Sequence, residues 1–186
     1  IPVVINAIVQ NAGQTCSAGS RVLIDELIYE PLLERLGKAF EALRVGPAIL
    51  DLDVGPLIRA SQQQRVWDFL SDAQVAGIPM VAQGQVVDEA PETGYYQAPT
   101  LLRDVPVTHR LAQDEVFGPV LSAMSFRDED HAVELANATK FGLVAGVWTR
   151  DGARQFRMAK RVKSGQVFIN NYGAGGGVEL PFGGVK

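Results

Sequence analysis

The sequence predicts an α/β domain built on an open, twisted, mostly parallel sheet with helices on both faces. Two observations carry this. Helical and strand patterns alternate along the chain, and repeated strand–helix units imply parallel strands joined by crossovers. The chain has 186 residues, 47% hydrophobic and 20% charged. That is enough for one domain whose core hides about 70% of the unfolded surface.

The elements follow in order. Arg21-Val22-Leu23-Ile24 reads as a short buried strand. From Glu26 to Leu43, apolar residues at Leu27, Ile28, Leu32, Leu33, Leu36, Phe40 and Leu43 have helical spacing, and Gly46-Pro47 ends the run. Ser61-Gln62-Gln63-Gln64 has the form of a capping box. It opens a helix through Val66, Phe69, Leu70 and Ala73 to Gly77. Met80-Val81-Ala82, Val86-Val87 and Pro99 to Val105 look extended. Val120 to Phe126 alternates as a strand does. Asp128 is placed to cap a helix through Val133, Leu135 and Ala136 that ends near Gly142. Leu143 to Thr149 reads as a buried strand. Asp151 caps a helix through Phe156, Met158 and Val162, with Lys160, Arg161 and Lys163 at its C-terminal end, where the dipole favours cations. Val167-Phe168-Ile169 is the last strand.

Composition narrows the function. The net charge is −4, so attraction to nucleic acid or an anionic membrane is not expected. No apolar run reaches the roughly 18 residues that span a bilayer. One cysteine excludes an internal disulfide, and with two distant histidines it excludes the usual zinc site. A reducing, cytoplasmic setting fits. The chain starts at Ile1 and stops at Lys186, just after Pro181-Phe182-Gly183-Gly184-Val185. Residues 1–186 are therefore expected to be a single domain cut from a longer polypeptide.

The chemistry centres on Asn11-Ala12-Gly13-Gln14-Thr15-Cys16-Ser17-Ala18-Gly19-Ser20-Arg21. A structural cysteine usually sits inside an apolar run. Cys16 instead sits on a glycine-bracketed turn of small and polar residues, where backbone N–H groups can converge on a thiolate or an oxyanion. Four further segments accompany it: Asp114-Glu115-Val116-Phe117-Gly118-Pro119, Phe141 to Thr149, Gly165 to Asn171, and Leu180-Pro181-Phe182-Gly183-Gly184-Val185-Lys186. In order and spacing these resemble the catalytic domain of the NAD(P)-dependent aldehyde dehydrogenase superfamily, from about Asn11 to Lys186.

The resemblance implies a Rossmann-like catalytic domain and assigns roles. Cys16 matches the nucleophile, whose thiohemiacetal and thioester carry an aldehyde to the acid. The Cys16 N–H supplies half of an oxyanion hole. Glu115 matches the glutamate that binds the nicotinamide ribose, and Phe117 the aromatic residue beside the nicotinamide. The cofactor is NAD or NADP. Phe182 matches a position lining the aldehyde tunnel, and Gly173 to Glu179 a loop at its mouth, here nearly all glycine and alanine. Thr15 and Ser17 flank the nucleophile and either touch substrate or only shape the turn.

The family's glutamate base, its oxyanion asparagine, its main nucleotide-binding segments and its oligomerisation strand match nothing in the chain. The isolated fragment is therefore expected to be inactive. The full-length protein is expected to be a homodimer or homotetramer acting on a small-molecule aldehyde. A coenzyme A-dependent acylating enzyme and a non-catalytic member of the superfamily stay open. Gly173-Ala174-Gly175 fails as a dinucleotide fingerprint, because Val178 takes the third glycine's place and no helix follows. His109 and His131 read as surface residues.

Overall fold

The computed structural model describes residues 1–173 and 180–186. The main sheet has four strands: β1 (Arg21–Asp25), β3 (Met80–Gln83), β5 (Thr100–Leu102) and β6 (Val120–Phe126), in the order β1-β6-β5-β3. β1 and β5 both run parallel to β6, with Arg21 opposite Ser122 and Thr100 opposite Val120. β3 is antiparallel to β5 at the edge. Two parallel pairs stand apart, β2 (Arg44–Val45) with β4 (Gln85–Val86) and β7 (Val144–Val147) with β8 (Gln166–Ile169). The architecture is the expected mostly parallel α/β sheet with helices packed on it.

Burial corrects two strand readings. β6 is an interior strand, and Val120 through Met124 are all buried, Ser122 included. An interior parallel strand loses alternation because both of its faces are covered. β7 is only half-buried, not a core strand, because its two-stranded sheet leaves it little neighbouring surface.

The helices are α1 (Pro2–Val9), α2 (Tyr29–Glu41), α3 (Ala60–Val75), α4 (Arg110–Gln113), α5 (Glu129–Asn137) and α6 (Gly152–Arg161). The predicted run from Glu26 splits. Asp25 accepts a hydrogen bond from the Leu27 N–H (3.0 Å) and opens a short 3₁₀ turn that leaves Leu27 and Ile28 exposed. α2 then buries Tyr29, Leu33, Leu36 and Phe40, one stripe at helical spacing, against β3 and β5. Gly37 lets it approach, since a Cβ there would lie 3.3 Å from the Val81 Cγ1.

The capping box does not form. α3 starts at Ala60, so Ser61 lies inside the helix. Gln64 donates along the helix to Asp68 (2.8 Å), while Gln63 reaches the Tyr96 carbonyl (2.9 Å).

The other two caps form as expected. Asp128 accepts from the His131 N–H (2.8 Å), and Asp151 from the N–H groups of Ala153 (2.9 Å) and Arg154 (3.1 Å). α5 ends at Asn137, before Gly142. Lys186 Nζ donates to the carbonyls of Asn137 (3.2 Å) and Thr139 (2.8 Å). An apolar seam of Ala132, Val133, Met158 and Val162 joins α5 to α6. Beside it, Glu129 takes Arg157 (2.7 Å), Arg154 (3.3 Å) and Arg161 (3.7 Å). Led by the Arg157 hydrogen bond, the guanidinium groups of Arg157 and Arg154 hold its carboxyl at about 2.

Candidate active site

Between α1 and β1 the backbone turns left-handed for three residues, with φ of +50° at Asn11, +54° at Ala12 and +73° at Gly13. A non-glycine residue there costs about 1–2 kcal/mol through its Cβ, so the surroundings must hold the turn. Asparagine tolerates the region best after glycine. The Asn11 side chain donates to the Gln14 carbonyl (3.0 Å), and the Gln14 side chain donates back to the Asn11 carbonyl (3.0 Å).

The segment is then pinned from several directions. The Ile58 N–H, just ahead of α3, donates to Gln14 Oε1 (2.9 Å). The Gly19 N–H donates to the Ala7 carbonyl of α1 (2.8 Å). The Tyr172 hydroxyl donates to the Ser17 carbonyl (2.9 Å), and burial pushes its phenol up to about 12. Gly13 lies against the backbone of Gly118. Cys16 is left exposed at the tip. Among the described residues nothing accepts from the Cys16 N–H.

The second loop, Glu115 to Gly118, connects α4 to β6. Phe117 is also left-handed, with φ +58°. Gln62 Nε2 donates to the carbonyls of Val116 (3.1 Å) and Phe117 (2.7 Å). Arg65 donates from Nε to Val116 (3.2 Å) and from Nη2 to Glu115. A Cβ at Gly118 would sit 2.4 Å from Val66 Cγ2, so glycine lets the loop seat on α3.

Thr15, Cys16, Ser17, Glu115 and Phe117 line one cavity of about 1130 Å³, whose wall continues onto β1 and β7. Five of the six predicted site residues thus come together. Ser17 is buried and gives its carbonyl to Tyr172, which fits shaping the turn. Among the described residues Phe182 does not line this cavity; it is half-exposed on a segment held by Gln166, which donates to the Pro181 carbonyl (3.0 Å). Of the predicted mouth loop, Gly173 to Glu179, residues 174–179 lie outside the described residues.

A family model for the aldehyde dehydrogenase family matches residues 1–186. The chain belongs to the aldehyde dehydrogenase family. It is 37% identical over 177 residues to betaine aldehyde dehydrogenase 1 of Rhizobium meliloti, covering 95% of this chain and 36% of that protein. A solved Burkholderia cenocepacia structure, assigned there as an aldehyde dehydrogenase, has 75% identity and a TM-score of 0.97, over 99% of this chain and 39% of that one. The NAD+ complex of aldehyde dehydrogenase from Bacillus cereus has 33% identity and a TM-score of 0.92, over 100% of this chain and 37% of that one. The chain spans just over a third of the length of these aldehyde dehydrogenases.

The sequence places Gln14 in the Cys16 turn and Gln62 inside the predicted capping box, but shows neither them nor Arg65 and Tyr172 as builders of this candidate site. The histidines are not plain surface residues. Both are half-buried, and each Nδ1 accepts a backbone N–H, His109 from Leu111 (3.2 Å) and His131 from Arg127 (3.3 Å). Among the described residues no cluster of three or more His, Cys, Asp or Glu could hold a metal ion, and no helix is long and apolar enough to cross a membrane.

Proposed function

We propose that the polypeptide carrying these residues oxidises an aldehyde to a carboxylic acid, with NAD or NADP as acceptor and Cys16 as nucleophile. The observation that carries this is the strained left-handed turn that presents exposed Cys16 on the cavity wall shared with Glu115 and Phe117. Strain of this kind persists where the surroundings hold it, and it gathers at active sites.

The chemistry balances with few groups. The Cys16 thiol gives its proton to solvent as Sγ bonds to the aldehyde carbon and the carbonyl π bond breaks, and the oxygen becomes an alkoxide that the Cys16 N–H can stabilise. When bound, the oxidised dinucleotide supplies the hydride acceptor. Loss of hydride from the adduct carbon restores the carbonyl and leaves a thioester on Sγ. Water then cleaves the C–S bond, releasing the acid and the Cys16 thiol.

The residues present fit such a dinucleotide. Glu115 offers an exposed carboxylate that can accept from ribose hydroxyls, and Phe117 offers an aromatic face beside it. The base that activates water and the second oxyanion donor are proposed to lie outside these residues. The 186-residue chain alone then turns over negligibly. Missing a general base costs about 10²–10⁴-fold, and a missing oxyanion donor about 10²–10³-fold.

The test is aldehyde-dependent formation of reduced dinucleotide by the full-length polypeptide, beside Cys16→Ser and the isolated chain. The expected result is carboxylic acid as product and a loss of at least about 10³-fold in Cys16→Ser. Undiminished turnover by Cys16→Ser overturns the proposal. A coenzyme A thioester as the sole product overturns the acid-forming reading but leaves the nucleophile in place.

A further inference from the structure

Three consecutive carbonyls in the Glu115 loop point the same way. Glu115, Val116 and Phe117 all turn their oxygens toward α3, where Gln62 and Arg65, three residues apart, receive them. Residues at this spacing lie on one helix face. No strand ladder orients the loop, which ends before β6 begins at Val120. Its conformation is uncommon for an aromatic residue, since Phe117 has φ +58°.

Arg65 is itself held. Its guanidinium carbon stands 5.1 Å from the centre of the buried Phe69 ring, and Arg110 stands 3.9 Å from the same ring. The ring thus has a guanidinium from α3 and one from α4 against it, and Arg110 also pairs with Asp72 of α3. Arg65 is thus held against the Phe69 ring as well as against the loop. A charged donor makes stronger hydrogen bonds than a neutral one, so Arg65 is the firmer hold.

The same helix governs the Cys16 loop, because the Ile58 N–H just ahead of α3 holds the Gln14 side chain. α3 and its lead segment therefore touch both halves of the candidate site.

The geometry points to Gln62 and Arg65 as positioning residues that fix the Glu115–Phe117 loop in its dinucleotide-binding form. This rests on the reading of Glu115 and Phe117 as cofactor contacts. Neither side chain is assigned a contact with the cofactor or the reacting atoms. Both act by setting where the Glu115 carboxylate and the Phe117 ring stand.

The test uses Gln62→Met, Arg65→Met and Arg65→Lys, with Glu115→Ala as the control for the underlying reading. In the 186-residue chain, hydrogen exchange is followed peptide by peptide. In the full-length polypeptide, KM for NAD+ is separated from kcat. The methionine variants keep an unbranched apolar stem but remove the donors, so faster exchange at 115–119 is expected, with β1 and β6 unchanged. KM for NAD+ is expected to rise about tenfold per variant, as for a lost hydrogen-bond pair. kcat at saturating NAD+ should change far less, and Arg65→Lys should recover part of the loss. Exchange at 115–119 that stays at the unsubstituted rate overturns the proposal. So does a Glu115→Ala variant that raises KM while Gln62→Met and Arg65→Met do not. If Glu115→Ala itself leaves KM unchanged, the cofactor reading of the loop fails instead, and the positioning proposal falls with it.

Discussion

Gly13 and Gly118 pack backbone against backbone. A Cβ on Gly13 would stand 2.3 Å from the Gly118 carbonyl carbon and 2.7 Å from the Pro119 nitrogen. This contact sets the Cys16 loop directly on the Glu115–Phe117 loop, and it exists only because Gly13 lacks a side chain. Gly13→Ala meets that clash and a φ of +73° at once. It is expected to destabilise the chain by about 3 kcal/mol or more, the sum of left-handed strain and overpacking. Denaturant unfolding followed by circular dichroism reads the shift in midpoint.

Asn11 closes the left-handed turn through its side chain. Asn11→Ala removes the donor to the Gln14 carbonyl and puts a second alanine in the left-handed region beside Ala12. A loss of about 1–2 kcal/mol is expected. Asn11→Gly keeps the conformation and should cost less. Thermal melts of the two variants check the order; equal loss in both would show that conformation plays no part.

Tyr172 ties the end of β8 to the Cys16 turn. Tyr172→Phe loses one hydrogen bond to the Ser17 carbonyl, worth about 1 kcal/mol. The phenol is raised from 10.0 to about 12 by burial, so the folded chain holds that proton longer than the unfolded one. Its contribution is full below pH 10 and is lost as pH rises from there toward about 12. The stability gap between the unsubstituted chain and Tyr172→Phe should therefore close over that window, read as unfolding midpoints against pH.

Glu129 joins α5 to α6 through three arginines, and its carboxyl lies near 2 against an ordinary 4.5. Its folded-state value is depressed, so its contribution is present above 4.5 and lost as pH falls toward about 2. Glu129→Gln should lower the melting temperature at neutral pH and match the unsubstituted chain at the acid end. High salt should shrink the difference at neutral pH, since the three arginines around it are about half-exposed.

Several elements were legible because their causes are local. Asp128 and Asp151 cap helices through N–H groups two or three residues on, which the sequence displays. The strands at 21–25 and 120–126 carry their own apolar runs. Other features depend on distant partners. Gln62 meets Val116 and Phe117 more than fifty residues away, a pairing that its place inside the predicted capping box could not announce. The half-exposure of β7 follows from its pairing with β8 alone. In the site, glycines and small residues marked the Cys16 turn, yet nothing in Asn11-Ala12 announces a left-handed backbone, because alanine enters that region only when the surroundings force it. Phe182 was placed by likeness of motif, and the fold keeps it off the cavity wall among the described residues.

The central claim is that Cys16 forms the covalent bond to substrate. The most direct measurement is intact-mass and peptide mass spectrometry of the full-length polypeptide, acid-quenched during turnover of an aldehyde with NAD+. An acyl mass is expected on the peptide bearing Cys16, absent without NAD+ and absent in Cys16→Ser. Turnover with no acyl mass on that peptide, or an acyl group on another residue, would contradict it.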